Sequence, residues 1–278
     1  MRCWPRKSLD RYATARSSCI VLDSGAWSSY AVPIWEGWTV SSAVLRKDLG
    51  GEMVTQELMR LLQERQVPVH PSYTISKHPI LPSPDSPPQF SIEYMDFPQT
   101  HPSFQQFSLL STLRTIKETR FEVSSEVFLD EDYQSKPAAS YIMPDGSTLD
   151  LGNERFKLQE VLFGGEKEGE GLGQLLSQSI DKCEPHMKKK LLENVVVCGG
   201  NTLFPHFTDR IHNELLDLTP RNTRIRLISA PEESERRYSS WLGGSILSAL
   251  QAFQANWVSR KDFMEQGAAA LERKCPSS

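Results

Sequence analysis

The sequence predicts an α/β fold in which short buried strands end in turns and are followed by helices. Residues 17–25 (SSCIVLDSG) form an apolar run closed by Asp-Ser-Gly, a pattern typical of a buried strand and a tight turn. Residues 191–200 (LLENVVVCGG) repeat the pattern, with three valines before a glycine pair. Residues 206–218 then carry apolar side chains at helical spacing, which predicts a strand, a glycine turn and a helix in succession.

Length, charge and cysteine content exclude several classes of protein. The chain has 278 residues, of which 38% are hydrophobic and 24% charged, as in a globular protein of about two domains. Its net charge of −4 disfavours a nucleic-acid-binding protein, which would present a basic face. The five cysteines form no CxxC pair, so neither a disulfide framework nor a structural zinc site is predicted. Apolar runs fall short of a membrane span, and we expect neither such a span nor a secretory signal.

The first third of the chain is predicted to form a strand hairpin and a helix. Residues 28–38 alternate apolar and polar side chains, which predicts a second strand beside the first. Apolar residues then recur at helical spacing from Val54 to Leu62, which predicts a helix over residues 52–65.

The middle of the chain begins with a proline-rich stretch. Nine of the eighteen prolines lie in residues 68–102, a density that blocks helices and central strands, so we expect an exposed, extended insertion. Docking as a proline-rich ligand is the alternative, although no PxxP flanked by arginine is present. A helix is predicted over residues 109–133, followed by a hairpin around Pro144-Asp145-Gly146 and an acidic, glycine-rich loop over 164–173.

The last third is predicted to contain mostly helices. A helix is expected over residues 172–180, an alternating strand over 223–231, and a long helix over 239–263 that is entered through Gly243-Gly244. The polar residues from Gln266 onward are predicted to be an irregular tail.

Two turns are candidate binding sites, and each has a plain structural alternative. The glycine pair after the valine strand lets backbone approach a ligand, and the helix that follows favours an anion, but such glycines also serve packing alone. Asp23 could order water around a metal ion, and Ser24 with nearby amides could hold phosphate, but these residues can also simply end a strand. The chain contains no GxxxxGK[ST] or HExxH motif.

Six motifs, in this order, resemble actin and its relatives. They are RYATAR before IVLDSG, VPIWEGW, PDGSTLDLGNERF, CGGNTLFPHFTDR, RYSSWLGGSILSALQAFQ and ERKC. The resemblance runs from about Leu9 to Cys275, with the proline-rich stretch as an insertion. It implies the actin-like ATPase fold, which is RNase H-like and places ATP in a cleft between two lobes. The expected coverage is incomplete: the large lobe plus the C-terminal part of the small lobe.

The resemblance also divides the chain into regions. It implies a subdomain-3-like core from residues 14–49 and 174–238, and a subdomain-4-like region from residues 50–173 with the proline-rich insertion at 68–108. Residues 1–13 and 239–278 are expected to form part of a subdomain-1-like region.

The nucleotide contacts of the family can be carried over to matching positions. The phosphate turn corresponds to Asp23, Ser24 and Gly25, and Gly51 resembles a glycine that faces the nucleotide. The helix sequence RTIKE corresponds to the adenine side through Arg114, Lys117 and Glu118. The second glycine turn corresponds to Gly199, Gly200, Asn201 and Thr202, with Phe204 as an aromatic wall and Arg237 in place of a usual lysine.

Departures from the family pattern predict weak binding of ATP or ADP at most, and no ATPase activity. Ala26 and Trp27 replace the second Asp and Gly of the family's Asp-Ser-Gly-Asp-Gly turn, which removes a carboxylate that orders water around the metal ion. Arg6 and Tyr30 stand at the positions of the water-activating Gln and His. The family's first phosphate hairpin has no counterpart in this sequence, so we expect no catalytic residue and no metal site.

The resemblance further implies a hydrophobic groove that binds amphipathic helices of regulators. Asn256 stands in it where an apolar residue is usual, and the same side chains can instead belong to the core. The groove positions are Tyr12, Ala13, Ala15, Gly37, Leu242, Ile246, Leu247 and Leu250. The apolar plug that helps actin to polymerise is replaced by an acidic, glycine-rich segment, so filament formation is not expected.

Three functions stay open. The first is a divergent, catalytically inactive protein of the cytoskeleton and cytoplasm that contacts actin-binding or cytoskeletal proteins, but neither nucleic acid nor membranes. The alternative is an actin-related subunit of a chromatin-remodelling or dynein-activator complex, which leaves a nuclear location open, or a residual ATP-binding protein. The third, a phosphotransferase of the same superfamily, is disfavoured by the actin-specific motifs.

Overall fold

The chain divides into two compact units. The computed structural model describes residue 9 and residues 13–80, 89–133, 135–164 and 171–274. Unit 1 consists of Met1–Gly51, Ser124–Glu126 and Val161–Ser278, and unit 2 consists of Glu52–Val123 and Val127–Glu160. The finer division into three subdomain-like regions stays a prediction.

The described residues form short strands and mostly short helices. The strands are β1 (Cys19–Ser24), β2 (Ser29–Trp35), β3 (Trp38–Thr39), β4 (Leu45–Lys47), β5 (Ile75–Ile80), β6 (Gln89–Tyr94), β7 (Ala139–Ile142), β8 (Thr148–Leu151), β9 (Val195–Cys198) and β10 (Leu227–Ile228). The helices are α1 (Gly51–Glu64), α2 (Pro102–Arg120), α3 (Asp130–Tyr133), α4 (Glu154–Lys157), α5 (Leu172–Asp181), α6 (Pro185–Leu192), α7 (Phe207–Leu218), α8 (Glu233–Arg237), α9 (Ser239–Ala249), α10 (Arg260–Gln266) and α11 (Ala268–Lys274).

Unit 1 is built on a six-stranded sheet with the order β10-β9-β1-β2-β3, in which β4 also pairs with β2. β1 and β2 form an antiparallel hairpin, whereas β9 is parallel to β1 and β10 is parallel to β9. These pairings confirm the strands predicted on either side of the Asp-Ser-Gly turn and before the glycine pair.

Apolar side chains hold this sheet in the core of unit 1. The first four residues of β1, CIVL, are fully buried, as expected for a strand with neighbours on both sides. Helix α5 packs against β2 and against α7. The buried apolar side chains of these helices are Leu172, Leu175, Leu176 and Ile180 in α5, and Phe207, Ile211 and Leu215 in α7.

A buried arginine fixes residues 124–126 within unit 1. Arg210 of α7 donates from Nε to Glu214 at 3.0 Å and from Nη1 to the carbonyl oxygens of Ser124 and Glu126, at 3.4 and 2.5 Å. Glu214 also accepts from the backbone N–H of Gly173 at 3.1 Å. Because Arg210 is 2% exposed, these acceptors replace the water that its guanidinium loses on burial.

Unit 2 packs α1 and α2 with two hairpins. The β7–β8 hairpin turns at Pro144-Asp145-Gly146, as predicted, and Gly146 has the positive φ (+85°) that such a turn requires. The buried apolar side chains of the two helices are Val54, Leu58, Leu62, Leu113 and Ile116.

The proline-rich stretch contains a hairpin that the sequence analysis did not predict. β5 and β6 pair antiparallel, with Ile75 opposite Tyr94 and Pro79 opposite Phe90. A proline is compatible with β5 because both strands of a two-stranded sheet are edge strands, where some backbone positions need no N–H donor. Residues 81–88, which join the strands, lie outside the described residues.

The helix predicted over residues 109–133 occupies a different range. α2 begins at Pro102, with His101 accepting from the N–H of Ser103 at 3.2 Å, and it ends at Arg120. The backbone is extended at Phe121 (φ −90°, ψ 146°), and Phe121 and Val123 are both buried. The carbonyl oxygens of Ser124 and Glu126 then bind Arg210, so the segment after this helix is held by a partner distant in the sequence.

The C-terminal region is also more divided than predicted. α9 ends at Ala249, a 3-10 helix covers Gln251–Asn256, and α10 begins after a capping box formed by Ser259 and Asp262. α11 replaces the predicted irregular tail, and the strand predicted over residues 223–231 is reduced to β10.

In the described part of the chain, no helix combines the length and the apolar character that crossing a bilayer requires. Among the same residues, no three His, Cys, Asp or Glu side chains come together in a way that could hold a metal ion.

Candidate functional site

The parallel pairing of β1 and β9 brings the two candidate turns together in unit 1. Asp23 lies opposite Cys198, so Ser24-Gly25 and Gly199-Gly200 leave the sheet at the same edge. Open α/β sheets bind their ligands at the carboxyl ends of such strands. The sequence-predicted residues of both turns are therefore adjacent.

Gly199 is required by the close approach of the two turns. Its φ is +94°, and a Cβ at this position would lie 2.7 Å from Oδ1 of Asp23 and would collide with the carbonyl oxygen of Ser24. Its N–H donates to the carbonyl oxygen of Arg236 at 3.0 Å. The glycine thus serves backbone packing between the two strand ends, one of the two roles that the sequence left open.

Asn201 links the second turn to the first. Its side-chain amide donates from Nδ2 to Oγ of Ser24 at 3.0 Å and to the carbonyl oxygen of Gly25 at 2.7 Å. Asn201 is 5% exposed and Ser24 is fully buried, so both are shielded from water. The two turns are joined by side-chain contacts internal to the protein.

The contacts of Asn201 extend into a directed series of hydrogen bonds. The Ser29 hydroxyl donates to the carbonyl oxygen of Leu49 at 2.7 Å, so the 2.9 Å contact between the Ser24 and Ser29 hydroxyls has Ser24 as its donor. The series runs from Asn201 through Ser24 and Ser29 to Leu49. Gly51, at the start of α1, also donates its N–H to the carbonyl oxygen of Gly25 at 3.1 Å.

Two groups of the first turn that could contact a phosphate are engaged within the protein. Phosphate-binding turns present unengaged backbone N–H groups, but Gly25 donates its N–H to the carbonyl oxygen of Ser28 at 3.2 Å. The Ser24 hydroxyl is engaged by Ser29 and Asn201. Ala26 supplies no carboxylate, and Trp27, which the resemblance aligns with a family glycine, is 69% exposed.

The adenosine-side residues of unit 1 lie around the second turn. Thr202 is buried and its hydroxyl donates to the carbonyl oxygen of Gly199 at 2.7 Å, and Phe204 is buried as well. Arg237 is exposed on α8, with its Nε 3.8 Å from the point where a Cβ on Gly200 would stand. Arg237 is thus the predicted residue that places a cation beside this turn.

The neighbouring arginine has a structural role that the sequence analysis missed. Arg236 donates from Nη1 to the carbonyl oxygen of Thr202 at 3.1 Å, and from Nε and Nη2 to that of Ala230 at 3.1 and 2.9 Å. It therefore fixes the second turn against α8. The Arg-Arg pair in the sequence gave no sign of which member turns inward.

The adenine-side residues predicted on α2 belong to unit 2. Arg114 forms two hydrogen bonds of 3.1 Å with Glu52 of α1, and Lys117 donates to the hydroxyl of Thr55 at 2.9 Å. Lys117 and Glu52 are buried, whereas Glu118 is exposed. The sequence analysis missed Glu52 and Thr55, although Thr55 shares a helix stripe with Leu58 and Leu62.

The predicted groove residues are only partly placed. Tyr12 lies outside the described residues, Ala13 and Ala15 are exposed, and Gly37 donates its N–H to the carbonyl oxygen of Ser17 at 2.7 Å. On α9, Ile246 is exposed and Leu242 is half-buried, whereas Leu247 packs inward. Leu242 and Ile246 form a short stripe at i, i+4 spacing, and Leu250, also exposed, follows the helix in extended backbone.

A concavity of about 560 Å³ lies beside that stripe rather than on it. It is lined by Leu9, Ser240, Trp241, Gly244, Ser245 and Ser248. Trp241 is 72% exposed, and the sequence analysis did not include it among the groove residues. Arg6 and most of the segment that replaces the apolar plug, residues 165–170, lie outside the described residues.

Comparison with known proteins accounts for the motifs and the paired turns. A family model described as Actin matches residues 5–276. Actin-related protein 4 from Arabidopsis thaliana is 30% identical over 96% of this chain and 63% of its own length. Actin-related protein 4 from Oryza sativa, subspecies indica and japonica, is 28% identical over 96% of this chain and 62% of the relative. The chain thus spans somewhat under two thirds of these relatives, and it belongs to the actin family, with the actin-like α/β fold.

Proposed function

We propose that this chain is an actin-related subunit of a multiprotein assembly of the chromatin-remodelling type, and that it acts through protein contacts. The observation that carries the proposal is its similarity, over 96% of its length, to plant proteins named actin-related protein 4. The cytoskeletal role has no support in these similarities. A nuclear location is part of the proposal.

We also propose that the chain does not hydrolyse ATP. Support comes from the first turn, where the Gly25 N–H and the Ser24 hydroxyl are engaged within the protein and Ala26 supplies no carboxylate. Residual binding of ATP or ADP is the second candidate, favoured by the exposed Arg237 beside Gly200. In either case we propose that the chain acts by binding other proteins and not by catalysis.

The assembly proposal is tested by native purification. The tagged chain, expressed at endogenous level, is expected in the nuclear fraction and in a particle far larger than its own 31.5 kDa. Mass spectrometry of that particle is expected to find an ATPase of the remodelling type in constant ratio to the chain. Recovery from the cytosol with filament regulators alone contradicts the proposal.

Nucleotide binding is tested separately on the purified chain. Differential scanning fluorimetry with magnesium ATP is expected to leave the midpoint of unfolding unchanged, and a phosphate-release assay to show no turnover. A ligand that binds only the folded state raises its stability. A raised midpoint that Arg237→Ala abolishes therefore establishes residual binding, and measurable turnover overturns the inactive assignment.

A further inference from the structure

An exposed aromatic surface lies on the β5–β6 hairpin and the first half of α2, within unit 2. Each of its side chains is between 40% and 58% exposed. We call it the hairpin surface, and its members are Phe90, Tyr94, Met95, Phe97, Phe104 and Phe107. Exposed apolar side chains that occur singly need no explanation, but a group of this size marks an interaction site.

Ring contacts link three members of the hairpin surface, and a polar contact fixes a fourth. The ring of Tyr73 lies 5.9 Å from that of Phe97 and 5.2 Å from that of Phe104, which lies 6.5 Å from Phe107. At the other end, the Tyr94 hydroxyl donates to Oδ2 of Asp145 at 3.1 Å. The aromatic faces are therefore ordered without a partner, which lowers the entropic cost of binding one.

The hairpin also offers a strand edge for pairing. Among the described residues β5 and β6 form a sheet of two strands, so one side of β6 has no strand neighbour. Natural edge strands are protected by lysine or proline, and β5 carries both, Lys77 and Pro79. β6 (QFSIEY) has neither, and its residues 90, 91, 93 and 94 are exposed. An extended peptide can pair with such an edge.

The charges around this edge are acidic. Glu93 and Asp96 are exposed on or directly after β6, and Asp145 lies against Tyr94. Two histidines contact the same surface: Nε2 of His78 lies 3.2 Å from Oε2 of Glu93, and the ring of His70 lies 4.4 Å from that of Tyr94. Lys77 of β5 is the only lysine or arginine in residues 67–107. Side chains alternate along a strand, so the rings of Phe90 and Tyr94 lie on one face of β6 and Glu93 on the other. A peptide paired with β6 has side chains on both faces, where rings and carboxylates each attract cations, arginine above all.

We propose that the hairpin surface binds an extended, arginine- or lysine-containing segment of a partner protein, which adds a strand to β6 and lays its cationic side chains on the aromatic rings. The inference rests on the proposed function in that the partner is another protein of the assembly. The peptide assay below uses the purified chain alone, so its result is independent of the purification experiment.

Fluorescence anisotropy with labelled nine-residue peptides tests this. A peptide of alternating arginine and threonine is expected to bind at least about tenfold more tightly than one of alternating glutamate and threonine. N-methylation of every second residue removes the N–H donors on one edge of the extended peptide, and methylating the odd or the even residues selects which edge. Only the edge that pairs with β6 needs its donors, so one of these two methylated peptides is expected to lose binding.

Surface variants locate the binding. The double variant Glu93→Lys/Asp96→Lys is expected to weaken binding of the basic peptide at least about tenfold, and Phe90→Ala about two- to fivefold. The matched control is Asp217→Lys/Glu232→Lys, the same charge change at exposed positions of unit 1, which is expected to leave binding unchanged. Circular dichroism checks that each variant is folded.

In the peptide assay, the proposal is overturned by equal affinity for the basic and acidic peptides, by equal affinity of the Glu93→Lys/Asp96→Lys variant and the unaltered chain, or by tight binding of both N-methylated sets. A concentration-dependent dimer in analytical ultracentrifugation that Phe90→Ala dissolves assigns the surface to a second copy of the chain and also overturns it.

Discussion

The paired turns of unit 1 and the hairpin surface of unit 2 use their polar and apolar groups in opposite ways. At the turns, Ser24, Ser29 and Asn201 are buried and bonded to one another. At the hairpin, aromatic rings and a strand edge face solvent. The groups that the resemblance assigns to a nucleotide are joined internally, whereas the exposed groups of our proposed partner site lie in the proline-rich stretch and at the start of α2. Residues that match a family motif and exposed groups that can bind a partner can therefore lie in different parts of one chain.

The largest expected effect is on the buried ion pair of unit 1. Arg210→Met leaves Glu214 and the carbonyl oxygens of Ser124 and Glu126 without their donor, and it is expected to lower the free energy of unfolding by about 3–5 kcal/mol. Urea unfolding monitored by circular dichroism measures the change. The control Arg221→Met, at an exposed position, is expected to stay within about 0.5 kcal/mol. Equal stability of the two variants contradicts the structural role.

A somewhat smaller effect is expected at the second turn. Gly199→Ala imposes a positive φ on a residue with a Cβ and forces that atom against the Ser24 carbonyl, which is expected to cost about 3 kcal/mol. Gly146→Ala, at φ +85° but with open space around it, isolates the cost of the backbone conformation alone. The difference between the urea midpoints of the two variants measures the cost of the contact between a Cβ at residue 199 and the Ser24 carbonyl. A larger loss of stability for Gly146→Ala than for Gly199→Ala would contradict the close approach of the turns.

Loss of the link between the turns is expected to cost less. Asn201→Ala removes two hydrogen bonds to buried acceptors, and the free energy of unfolding is expected to fall by about 2 kcal/mol. Asn213→Ala, which removes one amide contact with the Ser125 carbonyl at an exposed position, serves as the control. If Asn201 merely fills a space that a phosphate could occupy, Asn201→Ala will keep its stability, and ATP will raise its midpoint of unfolding. That result would contradict the structural role of Asn201.

The smallest effect is expected at the hairpin surface and depends on pH. Burial would raise the pKa of Asp145, but hydrogen bonds from Ser147 and Tyr94 outweigh it and hold the pKa below its ordinary value of 3.8. The ionised carboxylate therefore stabilises the fold above about pH 4, and the contribution is lost as pH falls through the lowered pKa. Asp145→Asn is expected to lower stability by less than about 1 kcal/mol at pH 7 and by less at pH 2 than at pH 7, as chemical denaturation at both values can show. Asp132→Asn, at an exposed position, is the control, and a loss that is equally large at pH 2 argues against the ionised carboxylate as its cause.

The sequence predicted the parts of this contrast that depend on local patterns. The run from Cys19 to Gly25 and the valines before Gly199 were sufficient to predict two strands and their turns. Both patterns depend only on residues that are neighbours in the sequence. The partners of Asn201 could not be predicted, because Ser24 is 177 residues away in the chain. The resemblance to the family identified Asn201 as a candidate site residue but did not indicate its hydrogen-bond partners.

The errors have equally specific causes. The predicted helix over residues 109–133 ran too far because its apolar spacing continues through Phe121, whereas the backbone turns extended there and the carbonyl oxygens of residues 124 and 126 bind the distant Arg210. The capping signal of Ser259 and Asp262 was present in the sequence and was overlooked within a long apolar period. The β5–β6 hairpin was missed because Pro79 counts against a strand unless the strand lies at an edge.

The parallel pairing of β1 with β9 has a consequence for biosynthesis. The whole of unit 2 is translated after β1 and before β9. At about 5–20 residues per second, the 177 residues that separate Ser24 from Asn201 take on the order of 10 to 35 seconds to emerge. During that time the β1–β2 hairpin has an apolar edge with no β9 partner, and such an unpaired edge exposes a nascent chain to aggregation until β9 is synthesised.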